Sequence, residues 1–328
     1  MFRSVPTHVH EYGPRVGAIS ADVMKDLLST SPDAAFDSSR DRLRETFLRD
    51  GVVVLPSPIL TDTAVAFVTS QVEKYIESNP SDVTPMETMG PKGEAYLRGG
   101  SFILQGLINK GRVFEVLAEH PLIVALAKTF LGAAVRLKDM SMASIAAGNG
   151  RGDWHPDWQY PRGRPECRSV KIFLWLDDLT EANGATAFVP GSVAFQLEHP
   201  PARRPDGTYS LSAHLALRSQ WTDHYSLPWP FSRNFSDSET SVVRPTGPKG
   251  WGVVYDSATL HASGANVSPS ARRILSLNYV AEGCIEESWG VMKAAGLSNE
   301  LLSRQSSAFL ELTHDWMPQP GQWVYTPA

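Results

Sequence analysis

The pattern of apolar and polar positions divides the chain into a helical N-terminal part and a strand-rich part that begins after Gly132. Apolar residues recur at helical spacing in 41–49, 61–77 and 113–131, and the proline at 121 predicts a break or bend in the last helix. A short apolar run at 52–56 predicts a buried strand between the first two helices. A layer of helices is therefore expected ahead of the main sheet.

Segments with strand character follow one another after Gly132. A turn signal, Asn183-Gly184, precedes one of them. Short strands separated by turn residues predict a sandwich or barrel. We expect a mainly β fold with flanking helices and a jelly-roll core over about 133–282, within one domain covering 1–328 and ending in C-terminal helices at about 287–312. The predicted strands are 135–142, 170–176, 186–190, 252–255 and 273–280.

Residues 193–248 have no regular pattern but contain many large aromatic side chains. Long irregular segments on a rigid scaffold commonly carry function. We expect this insertion to cover the substrate like a lid. The alternative is that its aromatic side chains cap the outside of the barrel. The candidate substrate contacts are Trp158, Trp221, Tyr225, Trp229 and Phe231.

Composition narrows the choice of partners. The chain has 328 residues, 42% of them hydrophobic, and a net charge of -5 without a basic stripe, so no nucleic-acid partner is expected. No apolar run approaches the ~20 residues of a membrane span. We expect a soluble cytoplasmic protein without a signal peptide or peroxisomal signal, and a homodimer is compatible with the sequence. Cys167 and Cys284 are expected to be two ordinary thiols in a reducing compartment.

Candidate chemistry begins at 154–158, which read Trp-His-Pro-Asp-Trp and contain the only His-x-Asp of the sequence. Residues two apart on an extended backbone project from the same face, so His155 and Asp157 are able to reach one ion. The motif alone is weak because short matches arise by chance. The flanking tryptophans strengthen it, since a carboxylate in an apolar wall is costly unless it binds a cation.

A second half of the site follows the strand at 252–255. His261 comes soon after it, and two imidazoles with one carboxylate leave open positions on iron, as in non-haem Fe(II) oxygenases. Arg272 begins the last strand, where alternation turns only one of Arg272 and Arg273 inward. An inward arginine beside this triad suits a dicarboxylate co-substrate such as 2-oxoglutarate.

Two alternatives remain open on these residues. Zinc takes the same three ligands, which would make the protein a metal-dependent hydrolase or lyase. The other alternative is a jelly-roll binding protein without catalysis, in which each histidine is hydrogen-bonded and no metal is bound. Release of succinate and CO2 from 2-oxoglutarate would separate an oxygenase from both.

The ordered motifs resemble the phytanoyl-CoA dioxygenase (PhyH) family of Fe(II)- and 2-oxoglutarate-dependent oxygenases over about 40–282. The resemblance rests on 154–158, on Leu-Trp-Leu-Asp-Asp at 174–178 with Asn-Gly-Ala-Thr-Ala-Phe-Val-Pro-Gly-Ser at 183–192, and on His-Ala-Ser-Gly-Ala-Asn at 261–266 followed by Arg272. It implies a double-stranded β-helix and a reaction that consumes O2 and 2-oxoglutarate.

The resemblance also assigns roles to single residues. It implies that His155, Asp157 and His261 bind the iron and that Arg272 binds the distal carboxylate of 2-oxoglutarate. Further 2-oxoglutarate contacts are expected from Gln105, Ser263 and Ser276. Hydroxylation is the default outcome, desaturation or oxidative rearrangement is compatible with it, and the retained Asp157 speaks against halogenation. We expect a small, largely apolar substrate, such as a secondary-metabolite intermediate.

Overall fold

The computed structural model describes part of the chain, and the predicted C-terminal helices and most of the 193–248 insertion lie outside that part. The described residues are 19–30, 34–85, 88–89, 95–96, 100–132, 134–149, 152, 154–157, 168–198, 242–282, 284 and 312.

The predicted N-terminal helical layer is present. The third predicted helix is two helices, because His120 and Pro121 end one helical run and begin the next. The imidazole of His120 accepts a hydrogen bond from the backbone N–H of Leu122 (3.2 Å) and so caps the second helix. The helices are α1 (Ala21–Leu27), α2 (Ala34–Asp50), α3 (Asp62–Ser78), α4 (Arg112–Ala118), α5 (Pro121–Leu131) and α6 (Ser192–Glu198).

The strands are paired antiparallel throughout the described residues. They are β1 (Val52–Val54), β2 (Thr84–Pro85), β3 (Thr88–Met89), β4 (Ala95–Tyr96), β5 (Phe102–Leu104), β6 (Val135–Ile145), β7 (Ser169–Trp175), β8 (Ala187–Phe188), β9 (Gly252–Asp256), β10 (His261–Ala262) and β11 (Arg272–Ala281). A large sheet has the order β1-β9-β7-β11-β6-β5-β2, and β8 pairs with β10 in a small one. Each predicted strand is therefore confirmed.

The two faces of the large sheet have different partners. On β11, Leu275, Leu277 and Tyr279 belong to the main hydrophobic core together with residues of α2, α3, α4 and α5. Alternation along the strand turns Arg272 and Ser276 to the opposite, inner face. Burial of the outer face against helices thus leaves Arg272 and Ser276 on the inner face, where Ile274 and Trp175 also lie.

Two isolated bridges extend the pairing of the small sheet. His155 forms an isolated antiparallel bridge with His261, and Phe188 forms one with Val243. The Asn183-Gly184 turn leads into β8, and Gly184 has a φ of +88°. A Cβ there would lie 2.6 Å from the carbonyl oxygen of Gly264, so only glycine fits this close approach.

Two findings bear on the expectations from composition. The prediction of two free thiols is wrong, because Cys284 is buried and disulfide-bonded. Cys167, the other cysteine of the chain, lies outside the described residues. Among the described helices, none combines the length and apolar character needed to cross a bilayer.

Candidate metal centre

Backbone pairing brings the three predicted metal ligands together. The amide of His155 donates to the carbonyl of His261 (2.9 Å), and the amide of His261 donates back to His155 (3.0 Å). Two residues further on, the amide of Asp157 donates to the carbonyl of Ser257 (2.8 Å). The His-x-Asp segment is thereby fixed between β10 and the end of β9.

The side chains of His155, Asp157 and His261, called here the metal centre, converge on one point. Their donor atoms lie within 4.8 Å of one another. An Asp157 oxygen, Oδ2, lies 3.3 Å from Nε2 of His261, and the other oxygen lies 3.8 Å from Nε2 of His155. Nδ1 of His261 lies 2.9 Å from the carbonyl of Thr259, which suits the tautomer whose Nε2 lone pair faces the carboxylate. This donor set fits Fe(II).

Two neighbours hold the Asp157 carboxylate. The Tyr255 hydroxyl donates to Oδ2 (2.7 Å), and the Lys171 ammonium lies 2.9 Å from the same oxygen. Burial would raise the pKa of the Asp157 carboxyl, but Lys171 and the two imidazoles outweigh burial and lower that pKa well below its usual range. Burial and the Asp157 charge raise the pKa of Tyr255 well above its usual value. The carboxylate is therefore ionised and oriented for a cation.

Arg272 faces the inner region with unsatisfied donors. Its side chain is 2% exposed, and neither Nε nor Nη2 has a hydrogen-bond partner among the described residues. Burial lowers the pKa of Arg272 to about 10 despite the nearby Asp177. The adjacent Arg273 points the other way and binds Asp177 (2.6 Å) and Glu73 (2.7 Å). The predicted division of the two arginines is confirmed, and Arg272 fits a bound anion.

The other predicted 2-oxoglutarate contacts differ in their surroundings. Ser276 is buried on the face of Arg272, and its hydroxyl has no partner within the described part of the chain. Ser263 follows β10, and its carbonyl accepts from the amide of Gly152 (2.9 Å). Gln105 is exposed just after β5. Trp158, Trp221, Tyr225, Trp229 and Phe231 lie outside the described residues, so their roles stay predictions.

Sequence reasoning missed the basic and acidic groups beside the metal centre. Lys138, Asp139 and Lys171 interact electrostatically with one another and with Asp157. Lys138 and Asp139 are neighbours in the sequence, but Lys171 and Asp157 lie far from them, so no charged cluster was visible. The available signal was Lys171 itself, a charge inside the most apolar predicted strand, where it had to face a polar interior.

Two imidazoles and one carboxylate that converge on one point, together with a buried arginine on the large sheet, are typical of metal-dependent oxygenases. Comparison with known proteins agrees with this class. Residues 47–274 match the family model "Phytanoyl-CoA dioxygenase (PhyH)", which covers more than half of the chain. The chain therefore belongs to the phytanoyl-CoA dioxygenase family and is an Fe(II)- and 2-oxoglutarate-dependent oxidoreductase that uses O2, as the resemblance predicted.

Two of the relatives found by sequence comparison act on small molecules. The chain is 28% identical over 233 residues to the ectoine dioxygenase of Bordetella parapertussis (strain 12822). The aligned region covers 70% of this chain and 71% of that protein. The chain is 25% identical over 236 residues to the L-proline trans-4-hydroxylase of Streptomyces griseoviridis, covering 70% and 82% respectively.

Solved structures support the fold. The non-heme alpha ketoglutarate dependent carbocyclase SnoK from nogalamycin biosynthesis aligns with a TM-score of 0.55 at 18% identity, covering 74% of this chain and 84% of SnoK. The epimerase SnoN in complex with Fe3+, alpha ketoglutarate and nogalamycin RO aligns with a TM-score of 0.54 at 18% identity, covering 75% and 84%. At this identity the likeness concerns the fold alone.

Proposed function

We propose that the chain oxidises a small molecule at an Fe(II) held by His155, Asp157 and His261, with Arg272 binding the distal carboxylate of 2-oxoglutarate. The observation that carries the proposal is the convergence of three donor side chains within 4.8 Å. Nε and Nη2 of the buried Arg272, which have no hydrogen-bond partner in the described part of the chain, support the second half, because a planar carboxylate satisfies both. We further propose that the two sheets form a double-stranded β-helix.

The residues of the chain have separable tasks in this reaction. When bound, the iron supplies O2 activation coupled to conversion of 2-oxoglutarate to succinate and CO2. Tyr255 and Lys171 hold the Asp157 carboxylate in one orientation. The inner sheet face positions the co-substrate through Arg272, with Ser276 on the same face as a further donor.

The substrate and outcome are part of the proposal. Hydroxylation is the expected outcome, as in the L-proline trans-4-hydroxylase, and oxidative rearrangement is compatible with the same site, since SnoK is a carbocyclase and SnoN an epimerase. The predicted substrate stays a small, largely apolar metabolite of secondary-metabolite biosynthesis. A single domain over 1–328, a lid at 193–248 and a cytoplasmic location also stay predictions.

The test is an assay of succinate formation by the purified chain with Fe(II), 2-oxoglutarate and O2. Asp157→Asn should abolish succinate formation and iron binding together. Asp62→Asn, the same change at an exposed carboxylate on α3, should leave both intact. Absence of succinate from a chain that retains zinc would support the hydrolase alternative, and iron-independent function in Asp157→Asn would support a binding protein.

A further inference from the structure

A turn that is entirely buried begins at the end of β9. Its four residues, 256–259, are each 0% exposed. Turns normally lie at the surface, because a buried turn must satisfy its backbone N–H and C=O groups without water. A turn that stays inside the fold indicates a role there, and its hydrogen bonds lead to the metal centre.

Two carbonyl groups of the turn contact the predicted metal ligands. The Ser257 carbonyl accepts from the amide of Asp157 (2.8 Å), and the Thr259 carbonyl lies 2.9 Å from Nδ1 of His261. Because a carbonyl only accepts, the second contact places a proton on Nδ1 and leaves Nε2 for a metal. His155 pairs with His261 through both backbone amides (2.9 and 3.0 Å), so its position depends on the same turn.

Asp256 shapes the turn from within. Its Oδ1 accepts from the amide of Ala258 (3.0 Å), and its carbonyl accepts from the amide of Thr259 (2.7 Å). The first of these bonds closes an Asx turn and the second a β-turn. Arg168 lies near the carboxylate, with 3.6 Å between its Nη1 and Oδ2 of Asp256. The Asp256 side chain therefore helps to fix where the carbonyls of the turn point.

Two neighbours hold the turn from outside. The Gly51 carbonyl accepts from the amide of Asp256 (2.8 Å) and from the hydroxyl of Thr259 (2.8 Å). The Ser169 carbonyl accepts from the amide of Ser257 (2.8 Å), and the two serine hydroxyls lie 3.0 Å apart. Gly51 has a φ of +72°, and a Cβ there would overlap Oγ1 of Thr259. Only glycine fits this approach, so the junction of α2 and β1 is fixed against the turn.

We propose that Asp256 and Thr259 are positioning residues, which hold the metal ligands in their binding geometry through the 256–259 turn. This inference rests on the proposed function. Asp256 acts through an amide of the turn, and Thr259 acts through its hydroxyl on Gly51. The carbonyls that these bonds fix hold Asp157 and His261. Loss of either bond should leave the ligands present but less well oriented, so metal affinity falls.

The first test changes the Thr259 hydroxyl alone, in the full chain. Thr259→Val keeps the size of the side chain but loses the donor, and calorimetry should show Mn(II) binding about tenfold weaker. Thr259→Ser keeps a hydroxyl and should bind Mn(II) within about twofold of the wild type. Thr61→Val is the matched control, because it removes a hydroxyl that caps α3. It should lower the urea midpoint of the metal-free chain without changing Mn(II) affinity.

The second test separates the hydrogen bond of Asp256 from its charge. Asp256→Asn keeps an acceptor for the Ala258 amide, whereas Asp256→Leu removes both the acceptor and the charge. Mn(II) binding should weaken about 100-fold in Asp256→Leu and less than about tenfold in Asp256→Asn. The visible spectrum of bound Co(II) depends on the number and arrangement of its ligands. It should match the wild type in Asp256→Asn and differ in Asp256→Leu.

Each result supports or overturns the inference. Wild-type Mn(II) affinity in Thr259→Val overturns it. Equal losses in Asp256→Asn and Asp256→Leu assign the effect to charge and also overturn it, as does a loss in Thr61→Val that matches the loss in Thr259→Val. If Asp256→Leu does not fold, the comparison of Thr259→Val with Thr259→Ser decides. Failure of the wild-type chain to bind Mn(II) or Co(II) would instead refute the proposed function.

Discussion

Replacement of Arg272 by methionine should move stability and co-substrate binding in opposite directions. The guanidinium is buried, and two of its nitrogens, Nε and Nη2, have no partner among the residues that the structure describes. Methionine has a similar length, keeps the inner face filled and has no charge to desolvate. The unliganded variant should therefore be more stable than the wild type, although it loses a residue of the proposed active site.

The magnitude follows from the electrostatics of Arg272. A pKa lowered from 12.5 to about 10, mainly by burial, corresponds to about 3 kcal/mol of unfavourable free energy for the charged form. Arg272→Met should recover part of this, about 1–3 kcal/mol in the free energy of unfolding. Loss of a bidentate, charge-assisted contact should cost about 3 kcal/mol in 2-oxoglutarate binding, roughly 100-fold in Kd.

Denaturant unfolding with and without 2-oxoglutarate measures both effects. At 100 times its Kd, 2-oxoglutarate should stabilise the Mn(II)-loaded wild type by about 2.7 kcal/mol and the variant hardly at all. Arg273→Met is the matched control. It breaks ion pairs with Asp177 and Glu73 on the other face and should lower stability without changing 2-oxoglutarate binding. Equal 2-oxoglutarate affinity of wild type and Arg272→Met would refute the reasoning.

Three further predictions concern metal binding by His155, the pH dependence of stability through His120, and the turn at Gly184. His155→Ala should weaken Fe(II) or Mn(II) binding more than about 100-fold by calorimetry, because one of three ligands is lost; a metal affinity within tenfold of wild type would contradict this. Burial lowers the pKa of His120 from 6.5 to about 4, because the folded chain holds the neutral imidazole. The contribution of His120 to the free energy of unfolding is therefore complete above pH 6.5, and about 3 kcal/mol of it is lost as the pH falls towards 4. His120→Asn keeps a cap without titrating there and should show a flatter pH profile in urea unfolding; an unchanged profile would exclude His120 as the source. Gly184→Ala should cost about 2–3 kcal/mol of unfolding free energy, because φ is +88° and the new Cβ meets Gly264, whereas Gly106→Ala, with φ +62° and open space, should cost less; equal losses would show that the overlap is relieved.

Local patterns in the sequence were sufficient for the elements and for part of the site. Helical spacing, strand alternation and the Asn183-Gly184 turn depend on neighbouring residues, so each predicted strand was recovered within a few positions. The same period-two alternation decided that Arg272 and Arg273 face opposite sides. The sequence predicted that His155 and Asp157 share a site because they are two apart and the family motifs surround them, and the structure brings them together with His261.

Only the tertiary structure decided what depends on pairing between distant strands. The register of β6, β11, β7 and β9 brings Asp139, Lys171 and Tyr255 to the side of Asp157, and a bulge adds Lys138. Nothing in the local sequence encodes a register between strands that lie this far apart in the chain. Side-chain period sets which face a residue takes, but packing of whole sheets sets its neighbours. The three candidate ligands could therefore be predicted from the sequence, and the charged groups around them could not.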